Sequence, residues 1–141
     1  MLFRSLVRPF SRNLRSELFK TPKIYFYDSG LSHILWLKLI SPEILGEIFE
    51  TSIFSELVKA FSKESVNFWR TKDKKEIDFI LKIKDKIMPV EAKINFASFF
   101  KRSINYFLKK YNLSQYYCIG LAGKNRKDNA LIFPWEISDI N

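Results

Sequence analysis

Apolar and polar positions change period several times along this chain, and each change marks an element. From Glu76 to Ile83, the residues Ile77, Phe79, Leu81 and Ile83 alternate with Asp78, Ile80 and Lys82. Further on, Met88, Val90 and Ala92 alternate with Pro89, Glu91 and Lys93. A period of two belongs to strands, so both runs are predicted strands, joined by the charged turn Lys84-Asp85-Lys86. Val66–Arg70 reads as a third strand, and the turn Thr71–Lys75 links it into an antiparallel meander. Helical spacing runs from Pro42 to about Ser62, with Ser41 as N-cap, Pro42 in the first helical position and Glu43 in the first turn. A second helix is predicted from Phe96 to Tyr111. It sets Phe99, Phe100, Ile104, Phe107 and Leu108 against Lys101, Arg102, Lys109 and Lys110, with Asn112 as its stop. Tyr116–Leu121 reads as a buried strand, parallel to the Glu91 strand or to a neighbour, because the intervening helix has the length of a crossover.

The ends are less regular. Lys23–Asp28 reads as a short extended stretch, and Asp28-Ser29-Gly30 offers a cap for a helix from Leu31 to about Leu39. Gly123–Asp128 is a polar basic loop, Ala130–Phe133 a last short strand, and Pro134-Trp135 starts a tail. In residues 1–22, Arg4, Arg8, Arg12 and Arg15 lie among apolar residues and Pro9 breaks any single helix. That segment reads as a basic arm or linker remnant, and residues 23–141 as one α/β domain.

Composition narrows the class. Hydrophobic residues make up 47% of the 141 and aromatics 16%, against only 4 glycines, which predicts a well-filled core with few strained turns. The start Met1-Leu2-Phe3-Arg4 has no following signal-like apolar run, and no stretch is long and apolar enough for a membrane span, so a cytoplasmic protein without a membrane partner is expected. The single Cys118 excludes an internal disulfide and a cysteine-based zinc site. A net charge of +9 favours a polyanionic partner through counterion release, nucleic acid being the expectation and a solubility charge the alternative. The basic groups near the predicted turns are Arg70, Lys72, Lys74 and Lys75, then Lys124, Arg126 and Lys127; Lys82, Lys84 and Lys86 form another cluster. Trp69 beside Arg70 is the one tryptophan placed to stack on a base, whereas Trp36, Trp135, His33 and Cys118 read as packing.

Three charged positions fall together. Glu91 and Lys93 share a strand face, and a two-residue loop at Lys84-Asp85 would set Asp78 opposite Glu91. Paired carboxylates suit a hard divalent cation; the alternative is a solvated strand face with one salt bridge. On the first long helix, Glu50 lies within about 60° of Ile53, Phe54, Leu57 and Phe61. A carboxylate in a buried arc needs a partner or a cation; a salt bridge to lysine, or a wet helix start, is the alternative. Glu47 and Glu56 fall at the margin of that arc.

Helix, three antiparallel strands, helix, strand, with Glu50 on the helix, Asp78 on the second strand and Glu91-Ala92-Lys93 on the third, resembles the core of the PD-(D/E)xK nuclease superfamily. Ile77 stands where that motif's proline would be. A closer likeness joins Lys20 to Leu31, Gly46-x-x-x-Glu50, Phe68–Lys72, Glu76–Phe79 and Pro89–Lys93. These stretches look like the C-terminal domain of unknown function found in prokaryotic AAA+-type ATPases. No Walker A sequence is present, so the chain reads as a standalone version or a fragment. The resemblance implies a restriction-endonuclease-like mixed sheet flanked by helices, and Mg²⁺ or Mn²⁺, one or two ions, held by Asp78, Glu91 and the Ala92 carbonyl, with Glu50 completing the shell. It implies Lys93 as the residue that orients water or offsets charge, and DNA as the substrate of metal-assisted phosphodiester hydrolysis. The basic loops would hold the DNA backbone without reading sequence. A homodimer and a separate ATPase partner are compatible with it. A non-catalytic nucleic-acid-binding or ATPase-accessory domain is the competing implication.

Overall fold

The computed structural model describes residues 4–11, 21–31, 34, 46–123 and 130–140. Five strands form the main sheet: β3 (Val66–Arg70), β4 (Glu76–Ile83), β5 (Lys86–Asn95), β6 (Tyr117–Ala122) and β7 (Leu131–Ile132), in that spatial order. β3, β4 and β5 are the expected antiparallel meander. β6 then runs parallel to β5, and β7 parallel to β6. The switch of direction follows from the connection. Two-residue Lys84-Asp85 returns the chain antiparallel, whereas the segment carrying α2 (Arg102–Tyr111) carries it across before β6 begins. The result is a mixed α/β fold.

Each sheet face has its own core. Phe49, Ile53, Phe54 and Leu57 of α1 (Gly46–Phe61) pack with Phe79, Leu81, Met88, Val90, Ala92 and Ile119. Ile104 and Phe107 of α2 pack with Trp69, Ile77, Ile80 and Phe10 in another cluster. Burying a large apolar side chain contributes about 1.5–3 kcal/mol, so these two layers hold the sheet between the helices. Trp69 is buried edge-on against Phe107, as a core residue and not as a stacking platform. Cys118 is buried as well, and burial pushes its thiol up to about 12. Among the described residues no helix is long and apolar enough to cross a membrane.

Several elements differ from expectation. The helix predicted from Phe96 starts only at Arg102, because the Asn95 side chain accepts the Ala97 N–H and the Ser98 hydroxyl returns to the Asn95 carbonyl. That local competition closes a short 3₁₀ turn over Phe96–Ser98 before α2. Asn112 does end α2, in the left-handed conformation, which asparagine tolerates. The tail from Pro134 is a 3₁₀ helix to Asp139, and Ile137 and Ile140 bury into the α1 core. Residues 4–11 are also built in. β1 (Arg4–Val7) pairs antiparallel with β2 (Lys23–Phe26), and Arg8–Phe10 runs along β3, where the Phe10 amide donates to the Phe68 carbonyl at 2.6 Å. Asp28 caps the following turn by accepting the Leu31 amide at 2.9 Å. Ser29, Gly30, Leu31 and Ile34 are helical, while His33, Trp36 and the rest of the helix predicted to Leu39 lie outside the described residues. So does the Ser41-Pro42-Glu43 start; α1 is described from Gly46.

Candidate active site

β4 breaks its alternation at the residue that matters most. Asn67 pairs with Ile80 and Trp69 with Ile77, so the single Phe68 faces both Asp78 and Phe79. This β-bulge turns Ile77 to the α2 side with Ile80, where strict alternation would place it with Phe79. It also ends the regular β4–β5 pairing, which runs from Ile83↔Lys86 to Phe79↔Val90. One step further, the register sets Asp78 opposite Glu91, as the two-residue loop required. There the Asp78 carboxylate replaces a ladder carbonyl, and its Oδ2 accepts the Ala92 amide at 3.0 Å.

Lys93 closes the group. Its ammonium donates to Asp78 Oδ2 at 3.1 Å, to Glu91 Oε2 at 2.6 Å and to the Ala92 carbonyl at 3.1 Å. The structure therefore brings Asp78, Glu91, Ala92 and Lys93 together, as the sequence implied. The side chains of Glu91 and Asp78 are only 9% and 14% exposed, so little water shields them from each other. Burial, then the Asp78 charge, pushes the Glu91 carboxyl up to about 8; Lys93 opposes this without cancelling it. Burial alone would lower the Lys93 ammonium, but Asp78 and Glu91 outweigh it and hold it above its ordinary value.

Glu50 approaches from α1 and is held separately. Its Oε1 accepts the Tyr25 hydroxyl and, at 3.2 Å, the Lys23 ammonium. Burial raises its pKa and the nearby Asp78 charge adds to that, while Lys23 and Tyr25 pull it back. Lys23 also bonds Glu76 at 2.6 Å, and Glu76 takes Nε and Nη2 of Arg70 at 2.8 and 3.1 Å. Burial opposes ionisation of Glu76, but Arg70 and Lys23 overcome it and its pKa falls below the usual range. A chain of charges thus runs from Arg70 through Glu76 and Lys23 to Glu50. Sequence reasoning does not mark Lys23, Tyr25 or Glu76 as site residues. The available signal is the period of two in β2, which puts Lys23 and Tyr25 on one strand face, with Tyr25 stacked on Phe54 of α1. Glu47 is exposed, and Glu56 is exposed and paired with Lys59, so neither joins the site.

The expected basic contacts divide. Arg70, Lys72 and Lys74 are exposed, whereas Lys75 lies over the Tyr106 ring of α2, 4.7 Å from its centroid. Lys124, Arg126 and Lys127 lie outside the described residues. Among the described residues, no group of three or more His, Cys, Asp or Glu side chains is arranged to hold a metal ion. The convergent oxygens are two carboxylates and one backbone carbonyl.

Comparison with known proteins identifies the chain: residues 45–137, well over half of it, match a domain of unknown function, DUF4143, and the chain belongs to that family. Neither the curated proteins nor the solved structures give a match.

Proposed function

We propose that this DUF4143 domain is a metal-dependent phosphodiesterase acting on nucleic acid, DNA first among them, on a restriction-endonuclease-like core. The observation that carries the reading is the meeting of Asp78 Oδ2, Glu91 Oε2 and the Ala92 carbonyl on one cationic atom, Lys93 Nζ. Supporting it is the order α1, β3, β4, β5, α2, β6, with Glu50 on the first helix and the charged residues on β4 and β5. The donor set fits Mg²⁺ or Mn²⁺. Hard dications take oxygen ligands, and Mg²⁺ is usually held by one or two carboxylates with water filling the remaining positions. Burial raises Glu91 and the Asp78 charge adds to it, and the two carboxylates face a single ammonium, Lys93.

Asp78, Glu91 and the Ala92 carbonyl would hold the ion, with Glu50 reaching it directly or through water. When bound, the ion supplies an activated water and charge stabilisation at phosphorus. Lys93 brings a positive charge to the group that reacts and offsets negative charge growing on the phosphate. Tyr25 and Lys23 fix the Glu50 carboxylate, so its approach does not depend on a free rotamer.

A second reading has its own observation. Lys93 already bonds three oxygens and Lys23 bonds two carboxylates, so the charges satisfy one another without an ion. The same residues would then be an ion-pair cluster in a nucleic-acid-binding or ATPase-accessory domain. Calorimetry with Mg²⁺ and Mn²⁺ on wild type and Asp78→Asn separates the two, followed by linear, nicked and branched DNA as substrates. Binding and cleavage that vanish in Asp78→Asn support the hydrolase. No metal binding, with DNA retention unchanged by the substitution, leaves the ion-pair cluster.

A further inference from the structure

A cavity of about 220 Å³ opens beside β3, lined by Thr21, Phe68, Arg70, Thr71 and Lys72. Its lining combines two cations, two hydroxyls and one buried aromatic ring, with no carboxylate in it. Two of its lining residues are held by neighbours. Glu76 clamps the Arg70 guanidinium through two nitrogens, 5.9 Å from the Phe68 ring centre. Thr71 anchors its own turn: its amide donates to the Lys75 carbonyl at 2.9 Å, and its Oγ1 accepts the Lys75 amide at 3.1 Å. Arginine, lysine and threonine side chains all bind phosphate oxygens, the first two with charge-assisted hydrogen bonds.

The cavity shares the Phe68 ring with the charged residues that lead to Glu50. Thr21 precedes Lys23 by two residues, and the Lys23 ammonium lies 5.6 Å from the centre of the same Phe68 ring. Lys23 in turn bonds Glu50 at 3.2 Å. Phe68 is also the residue that faces the Asp78 bulge. Lys75, by contrast, turns to Tyr106 of α2 and is absent from the lining.

From this arrangement we infer that the Thr21–Arg70–Lys72 cavity holds a backbone phosphate of the nucleic acid, flanking the phosphate that reaches Asp78 and Glu91. The inference rests on the hydrolase reading for its substrate, and its test does not use cleavage. Fluorescence anisotropy of labelled single-stranded and duplex oligonucleotides, in EDTA, reads binding alone. Arg70→Gln/Lys72→Gln should weaken binding about tenfold or more and lower the salt slope by about two. Lys84→Gln/Lys86→Gln removes the same charge at the exposed hairpin tip and should change binding far less. Lys72→Gln, an exposed single change, should weaken binding in the same direction and serves where the double variant folds poorly.

Equal weakening by both double variants would show a diffuse field and overturn the inference, as would no binding by wild type. Calorimetry with inorganic phosphate distinguishes the source. Phosphate heat that Lys72→Gln abolishes, with oligonucleotide binding untouched, assigns the cavity to free phosphate and overturns the backbone assignment. If wild type binds through the cavity yet cleaves nothing with Mg²⁺, the hydrolase reading alone fails. If it cleaves while the Arg70/Lys72 variant binds normally, the cavity alone fails.

Discussion

Asp78 has two roles that substitution can pull apart. Its Oδ2 accepts the Ala92 amide at 3.0 Å where β4 no longer offers a carbonyl, and it carries a charge facing Lys93 at 3.1 Å. Asp78→Asn keeps an oxygen for the Ala92 amide and removes the charge. It loses an attraction to Lys93, but it also removes the Asp78 charge that raises Glu91, so the two changes partly cancel. Asp78→Ala removes the acceptor as well and leaves a buried amide unsatisfied, which costs about 1–3 kcal/mol. Asp78→Ala should therefore lie about 1–3 kcal/mol below Asp78→Asn in unfolding free energy. Urea unfolding in EDTA, followed by circular dichroism with m held common, reads the difference. If the two variants are equally destabilised, the charge and not the acceptor holds the strand end, and the account of the bulge is wrong. The same experiment shows that loss of metal binding in Asp78→Asn is not loss of fold.

Other outcomes follow from the same geometry. The Glu91 carboxyl rises from 4.5 to about 8 on folding, so the folded chain keeps a proton that the unfolded chain releases; in EDTA, stability should fall as pH rises through that window, and Glu91→Gln should flatten the slope. Gly120 has no room for a side chain: a Cβ there would lie 2.7 Å from the Phe96 ring and 2.8 Å from the Lys93 carbonyl. Gly120→Ala should lower the unfolding free energy by about 1–3 kcal/mol, and a variant as stable as wild type would contradict that packing. Tyr25→Phe removes the hydroxyl that holds Glu50 and should cost about 0.5–1.5 kcal/mol in denaturant unfolding, with its Phe54 stacking retained.

Much of the sheet was legible because its signals are local. Alternation marked β4 and β5, the two-residue turn set their register, and the length between β5 and β6 required a parallel return. The acid-x-lysine spacing in β5 placed Glu91 and Lys93 on one face without any knowledge of the fold. What remained hidden depends on contacts between distant segments. A bulge opposite Phe68 adds a residue to one strand only, so nothing in the period of β4 announces that Ile77 will leave Phe79 for the other layer. The end segments read as an arm or linker remnant and a tail because their few apolar residues gain stability only against surfaces built elsewhere: Phe10 against Trp69 and Phe107, Ile137 and Ile140 against α1. Lys23 and Tyr25 belong beside Glu50 only once β2 lies across α1, which brings residues twenty-five and more positions apart into hydrogen-bond range. Local pattern was enough to tell which side chains carry charge and which strands they ride on. Which of those charges meet was settled by packing between distant elements, because burial and electrostatic coupling act through space and local pattern records only neighbours along the chain.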